Sequence, residues 1–155
     1  MPPWLSTILP SLFVAVCTAV VTVRLSLHRF YTEWWWERKA DAYSRIVEAL
    51  HCAMEYWSEQ SHESMTQQQI PEEREKRLSE DYDRASRELN KATGIGAFII
   101  SDEVADALAK LQNRRRLDPK DCPWFEICND EFGAYKKTLA EVKKLARKEL
   151  KGKDK

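Results

Sequence analysis

Two Glu-x-x-His motifs are the residues of this sequence whose types and spacing could bind a metal: Glu48 with His51, and Glu59 with His62. In di-iron four-helix proteins, two different helices each supply one such motif, and glutamates from the other helices complete the site. Here both motifs fall in one predicted helix, and their 11-residue offset corresponds to about 16 Å along its axis. They cannot meet at one metal within a subunit, so we expect them to form a polar, solvated helix face.

The cysteines offer no better metal site. Cys122 and Cys128 are six residues apart, which is not a zinc-binding spacing, and Cys52 and Cys17 are far away in the sequence. Cys128 falls on an apolar stripe, where it is expected to act as a small core residue. The sequence also lacks a Gly-x-Ser-x-Gly, P-loop or HExxH motif. We therefore predict no catalytic residue, no metal ligand and no cofactor.

A charge-free run from Trp4 to Val23 opens the chain, and Arg24 ends it. Twenty helical residues extend about 30 Å, the thickness of the hydrocarbon core of a bilayer. No basic residue precedes the run, whereas several follow it, so the positive-inside rule predicts an N-terminus outside. This pattern predicts an uncleaved, single-pass anchor in the inner (plasma) membrane, with the rest of the chain cytoplasmic.

Aromatic and basic residues are expected at the membrane interfaces. Rings with an N–H or O–H group favour the headgroup zone, because they are apolar with one polar atom. A basic loop near the inner leaflet would bind anionic headgroups. The predicted interface residues are Trp4, Phe30, Tyr31, Trp34, Trp35, Trp36, Arg114, Arg115 and Arg116.

Small residues recur at every fourth position within the predicted anchor: Thr7, Ser11, Ala15 and Ala19. Such a row lets two membrane helices approach closely, so this face is a candidate for self-association. The alternative is that the row reflects only the ordinary composition of an anchor.

Composition bounds the remainder of the chain. The sequence has 155 residues, with 25 basic and 25 acidic side chains and only four glycines. A net charge of zero argues against a dedicated nucleic-acid-binding protein, and no nucleic-acid partner is predicted. Few glycines and many Glu, Lys, Ala, Arg and Leu residues favour helices.

Apolar stripes at helical spacing predict three long helices and a short one. Pro71, Ser101, Asp121 and Pro123 mark the expected helix ends. Gly94 could end the second helix or, together with Gly96, allow a close helix crossing. The predicted stripes contain Trp36, Tyr43, Ile46, Leu50, Ala53 and Trp57; Leu78, Tyr82, Ala85, Leu89, Ala92 and Ile99; Val104, Leu108 and Leu111; and Phe125, Cys128, Phe132, Tyr135, Leu139, Val142 and Ala146.

These elements predict an all-α fold, in which a transmembrane helix is followed by an antiparallel three-helix bundle with a short extra helix. The expected domains are an anchor with its flank over 1–29, a cytoplasmic bundle over 30–150 and a basic disordered tail over 151–155. The bundle topology would bring the Arg114–Arg116 loop to the membrane and the Ser61–Ile70 loop to the far end.

The stretch FYTEWWWERKADAY, from Phe30 to Tyr43, is followed by IVEAL at 46–50. It resembles a juxtamembrane signature of small bacterial single-pass membrane proteins, and GAFIIS at 96–101 belongs to the same pattern. The resemblance implies a bacterial inner-membrane protein. It implies no activity, substrate or site.

The sequence thus favours a non-enzymatic, membrane-anchored helical module that binds other molecules. Its predicted partners are the lipid bilayer, a second copy of the chain or a cytoplasmic protein. One alternative is a self-assembling membrane effector, such as a toxin or phage-defence component, since small residues line one face of the anchor. A metal-dependent enzyme that uses Glu48, His51 or the cysteines is the other.

Overall fold

The computed structural model describes residues 5–66, 69–94 and 98–151, and within α1 it describes side chains from Thr18 onward except at 25, 27–29 and 32. Those residues contain helices and connecting loops, with no strand among them. The all-helical part of the fold prediction is therefore confirmed. The helices are α1 (Leu5–Thr66), α2 (Glu72–Gly94), α3 (Asp102–Gln112) and α4 (Trp124–Lys151).

The chain divides into two compact units, Met1–Arg38 and Lys39–Lys155. The described part of the first unit is helical and belongs to α1. The second unit, called the compact unit below, contains the rest of α1 and the other three helices.

The predicted transmembrane anchor is wrong. No helix in the described part of the chain is both long and apolar enough to cross a membrane. The prediction relied on the absence of charge between Trp4 and Val23, but this run also contains Pro10 and five hydroxyl side chains, at positions 6, 7, 11, 18 and 22. The predicted single-pass localisation, with the N-terminus outside and a cytoplasmic bundle, is overturned with it.

Pairs of contacting side chains establish the helix directions within the compact unit. Lys39 of α1 pairs with Glu149 of α4 at 2.7 Å, whereas Ser61 donates a hydrogen bond to Asn129 at 2.9 Å. The early part of this α1 segment therefore lies beside the end of α4, and the two helices run antiparallel. Arg74 of α2 pairs in turn with Glu59 of α1 at 2.6 Å. Since Tyr56 stacks on Tyr82, α2 also runs antiparallel to α1.

The core of the compact unit contains most of the predicted stripe residues. Burying apolar side chains stabilises the fold by about 25 cal/mol per Å² of area removed from water. The predicted stripe residues that are fully or almost fully buried are Tyr43, Ile46, Leu50, Ala53, Trp57, Ala85, Leu89, Val104, Leu108, Leu111, Cys128, Tyr135, Leu139, Val142 and Ala146. Their burial confirms these stripes, and Cys128 is a core residue as expected. Trp36 and Tyr82 are only half-buried, and Phe125 is exposed.

Residue types that are typical of helix ends predicted most of the observed ends. α2 ends at Gly94, and Ser101 is the N-cap residue of α3, as predicted. The N-cap prediction at Asp121 is wrong, because α4 begins at Trp124 and the carbonyl oxygen of Pro123 accepts hydrogen bonds from its first turn. The N–H of Asp121 instead donates to Asp118, so this residue belongs to the preceding turn.

A polar contact at Tyr43 joins three helices. The Tyr43 hydroxyl donates to the Glu149 carboxylate of α4, and it accepts the Ser101 backbone N–H, at the start of α3, at 3.1 Å. Burial raises the pKa of this phenol, and the Glu149 contact raises it further. The hydroxyl therefore stays protonated and acts as a structural donor that holds α1, α3 and α4 together.

Candidate interaction surfaces

A groove separates α1 from α2 on the surface of the compact unit. It consists of two adjoining cavities of about 280 and 310 Å³, and both cavities are lined by Arg45 and Glu88. Most of the lining residues belong to these two helices, so the groove is an opening between α1 and α2.

Alanines line the groove on both helices. Ala42 and Ala49 of α1 face Ala85 and Ala92 of α2 across the two cavities. Ala49 and Ala85 are buried at the bottom of the groove. The floor is completed by Ile46, Ile99 and Ile100. The groove thus has an apolar floor made mainly of small side chains.

Charged residues form the rim of the groove, and their ion pairs do not cross it. Arg45 pairs with Asp41 at 3.0 Å, within α1. Arg84 pairs with Asp81 at 3.5 Å and Lys91 with Glu88 at 3.0 Å, both within α2. Each of these pairs spans three or four residues of one helix, so none of them closes the groove.

Cys52 lies in the groove beside Asp81 and Glu48. Burial raises the pKa of its thiol, and the neighbouring carboxylates raise it further. A thiol acts as a nucleophile in its deprotonated form, which this environment disfavours at neutral pH. The surroundings of Cys52 therefore argue against a nucleophilic role for its thiol.

The structure separates the two Glu-x-x-His motifs from any shared site. His51 and His62 are both exposed, and Glu59 forms the ion pair with Arg74. Within the described residues, no group of three or more His, Cys, Asp or Glu side chains could hold a metal ion. The prediction that the chain uses no metal remains a prediction.

The predicted basic interface loop is tied to the bundle by ion pairs. Arg114 contacts Asp130 at 2.5 Å and Glu131 at 2.6 Å, and Arg116 contacts Glu131 at 3.5 Å. Burial lowers the pKa of Arg114, but the two carboxylates outweigh that effect and raise it. Two of the three arginines therefore have a structural role, whereas Arg115 is exposed.

The remaining predicted interface residues lie in the first unit. Phe30 and Tyr31 are each 64% exposed, Trp34 and Trp35 are each 45% exposed, and the guanidinium carbon of Arg38 lies 4.7 Å from the centre of the Trp34 ring. Trp36 is half-buried. Trp4 lies outside the described residues.

The small-residue face is described only at Ala19, which is exposed. The side chains of Thr7, Ser11 and Ala15 lie outside the described part of α1. Self-association through this face remains a prediction.

Sequence reasoning missed the groove, although a signal for it was present. Ala42 and Ala49 are seven residues apart, as are Ala85 and Ala92, so each pair repeats on one face of its helix. The apolar stripes predicted Ala85 and Ala92 as core positions. Ala85 is buried and Ala92 is half-buried against the core, and the groove lies over both.

Known proteins provide no guide to the groove or to the exposed aromatic residues. No protein-family model, curated protein or solved structure matches the chain. The resemblance of residues 30–43 to a juxtamembrane signature therefore remains a prediction.

Proposed function

We propose that the chain is a non-enzymatic interaction module whose compact unit binds an amphipathic helix of a partner protein in the groove between α1 and α2. The observation that carries this proposal is the open, alanine-lined floor with its charged rim. Amphipathic helices bind to other proteins by placing their apolar face in such grooves.

The dimensions of the groove support a helix as its occupant. On α1 the lining extends from Ala42 to Cys52, eleven residues whose Cα atoms span about 15 Å, or nearly three helical turns. That length accommodates apolar anchors at positions i, i+3 or i+4, and i+7 of a bound helix. Small floor residues allow the two backbones to approach closely.

The rim supports an occupant with charged flanks. Along α2, the signs alternate from Asp81 through Arg84 and Glu88 to Lys91. These side chains are more than a third exposed, so their pairs within α2 are weak and can exchange for pairs with a ligand. The alternating signs favour a partner helix with both acidic and basic residues beside its apolar face.

A photo-crosslinking amino acid at position 92 tests this proposal directly. Ala92 is half-buried and lines the groove, whereas Asn90 is exposed on the opposite face of α2 and provides the matched control. The full chain carrying the crosslinker would be expressed in its source cells and irradiated. We expect one protein to be captured from position 92 and not from position 90.

The captured protein would then be purified and titrated into the chain by calorimetry. Because Ala92→Trp fills the groove, it should weaken binding at least tenfold, which corresponds to about 1.4 kcal/mol. Asn90→Trp should leave the affinity unchanged. Equal affinities for both variants, or capture of nothing specific from position 92, would contradict the proposal.

A further inference from the structure

Exposed apolar side chains occur on several sides of α1 in the first unit, among them Val21, Tyr31 and Trp35, and four others repeat along one face. Val20 and Val23 are each 56% exposed, and Phe30 and Trp34 follow on the same side of the helix. A helix that exposes a row of large apolar residues is expected to bury them against another surface.

The spacing of this row is that of a coiled coil. Val20 and Trp34 lie two heptads apart at a positions, and Val23 and Phe30 lie one heptad apart at d positions. The intervening a position, 27, is a leucine in the sequence. A repeat of seven residues keeps one face directed toward a partner helix with the same repeat, and a second copy of the chain provides one.

Charged residues beside the row favour a parallel pair. In parallel coiled coils, a g residue of one helix meets the e residue five positions later on its partner. Glu33 occupies a g position and Arg38 the e position that follows. In a parallel pair, Glu33 of each copy would therefore meet Arg38 of the other copy. Antiparallel pairing places e positions opposite each other, where Arg24 and Arg38 would repel.

We infer that two copies of the chain associate in parallel and in register through the heptad row formed by Val20, Val23, Phe30 and Trp34. The interaction does not depend on the groove in the compact unit. Residues 20–34 extend over about 21 Å, only two heptads, so the association should be reversible and concentration-dependent.

Disulfide trapping tests the register. All native cysteines of the full chain would be replaced by serine or alanine, and one new cysteine would be introduced by Val23→Cys or, as the control, Thr18→Cys. Position 18 is an f position on the face opposite the row, and both residues are exposed. On mild oxidation, Val23→Cys should form at least tenfold more disulfide-linked dimer than Thr18→Cys. Equal yields would overturn the inference.

Exchanging charges tests whether the two helices run parallel. These variants leave the apolar row unchanged. Glu33→Lys should weaken dimerisation, measured by analytical ultracentrifugation, because it places a lysine against Arg38 of the partner copy. Adding Arg38→Glu to it restores an opposite pair and should recover the dimer. No recovery, or a monomeric wild-type chain, would overturn the inference. A chain that floats with phosphatidylcholine–phosphatidylglycerol vesicles while staying monomeric would also do so.

Discussion

At the scale of single residues, the ion pair between Arg114 and Glu131 is expected to stabilise the fold. The Glu131 side chain is only 4% exposed, and Arg114 lies 2.6 Å from it. Removing one partner of a buried pair leaves an uncompensated charge, which costs about 3 kcal/mol or more. The loop before α4 is thus held in place by the charge that α4 buries.

Arg114→Met should therefore lower the free energy of unfolding by up to about 3 kcal/mol, measured by urea denaturation, because Glu131 would keep only the more exposed Arg116 at 3.5 Å. Arg115→Met, at the exposed neighbouring residue, should change it by less than about 0.5 kcal/mol. Adding Glu131→Met to Arg114→Met should recover most of the loss, because no buried charge then remains unpaired. Equal costs for the two single variants would show that the pair contributes nothing specific.

The role of Arg114 could not be predicted from the sequence. Three consecutive arginines indicate a basic surface, and nothing in their spacing identifies Glu131, which lies on another element. The burial of Cys128 and Leu50 was predictable, because an apolar side chain on an apolar stripe is buried whichever helix covers it. An ion pair requires a particular partner, whose position depends on the folded chain.

At the scale of elements, an aromatic cluster connects α1, α2 and α4. Tyr56 stacks on Tyr82 with ring centres 4.6 Å apart, and the hydroxyl of Tyr82 lies 3.4 Å from that of Tyr135. Burial raises the pKa of Tyr135 far above its usual 10.0, and the contact with Tyr82 raises it further. The buried phenol of α4 therefore keeps its proton in the folded state.

This raised pKa makes stability depend on alkaline pH. At pH values between the unfolded and folded pKa of Tyr135, the phenol keeps its proton only in the folded chain. The contribution of Tyr135 to the free energy of unfolding is therefore complete below pH 10 and is lost as the pH rises. One pH unit above 10, the loss from this group is about 1.4 kcal/mol. Tyr135→Phe should be less stable than wild type near pH 7, and should lose less stability between about pH 9 and 11.

Urea denaturation across that pH range measures the effect, with Tyr31→Phe as the control because its ring is exposed. Parallel curves for wild type and Tyr135→Phe would refute the assignment. The control keeps Tyr135 and should lose stability as steeply as wild type. A loss in the control as shallow as that of Tyr135→Phe would refute the assignment as well.

Helix ends were predictable where one residue alone decides them, as at Gly94 and Ser101. They were not predictable where two residues compete. Asp118 and Asp121 could each have capped α4, but Asp118 accepts the N–H of Lys120 at 2.9 Å and forms a turn of its own. The first hydrogen bonds of α4 are accepted by the carbonyl oxygen of Pro123, which follows both aspartates in the sequence.

At the scale of the whole molecule, the division at Arg38 separates the two proposed interactions. The heptad row ends at Trp34, and the groove begins at Ala42. The compact unit has its own core, in which Leu50, Val104, Leu108, Cys128 and Val142 are fully buried. The sequence predicted a helical domain after an N-terminal segment. It did not predict the role of that segment, since a charge-free run does not by itself identify the surface that covers it.

Removing residues 1–38 should abolish self-association and leave the compact unit folded, because every core residue in the described part of the chain lies after position 38. We expect the free energy of unfolding at low concentration, measured by urea denaturation, to change by less than about 1 kcal/mol. Sedimentation should show a monomer at concentrations where the full chain dimerises, and a ligand of the groove should bind both forms with equal affinity. If the truncated chain still dimerised, the heptad interface would be refuted and the groove proposal would stand. If the truncated chain folded but no longer bound the groove ligand, that result would count against the groove.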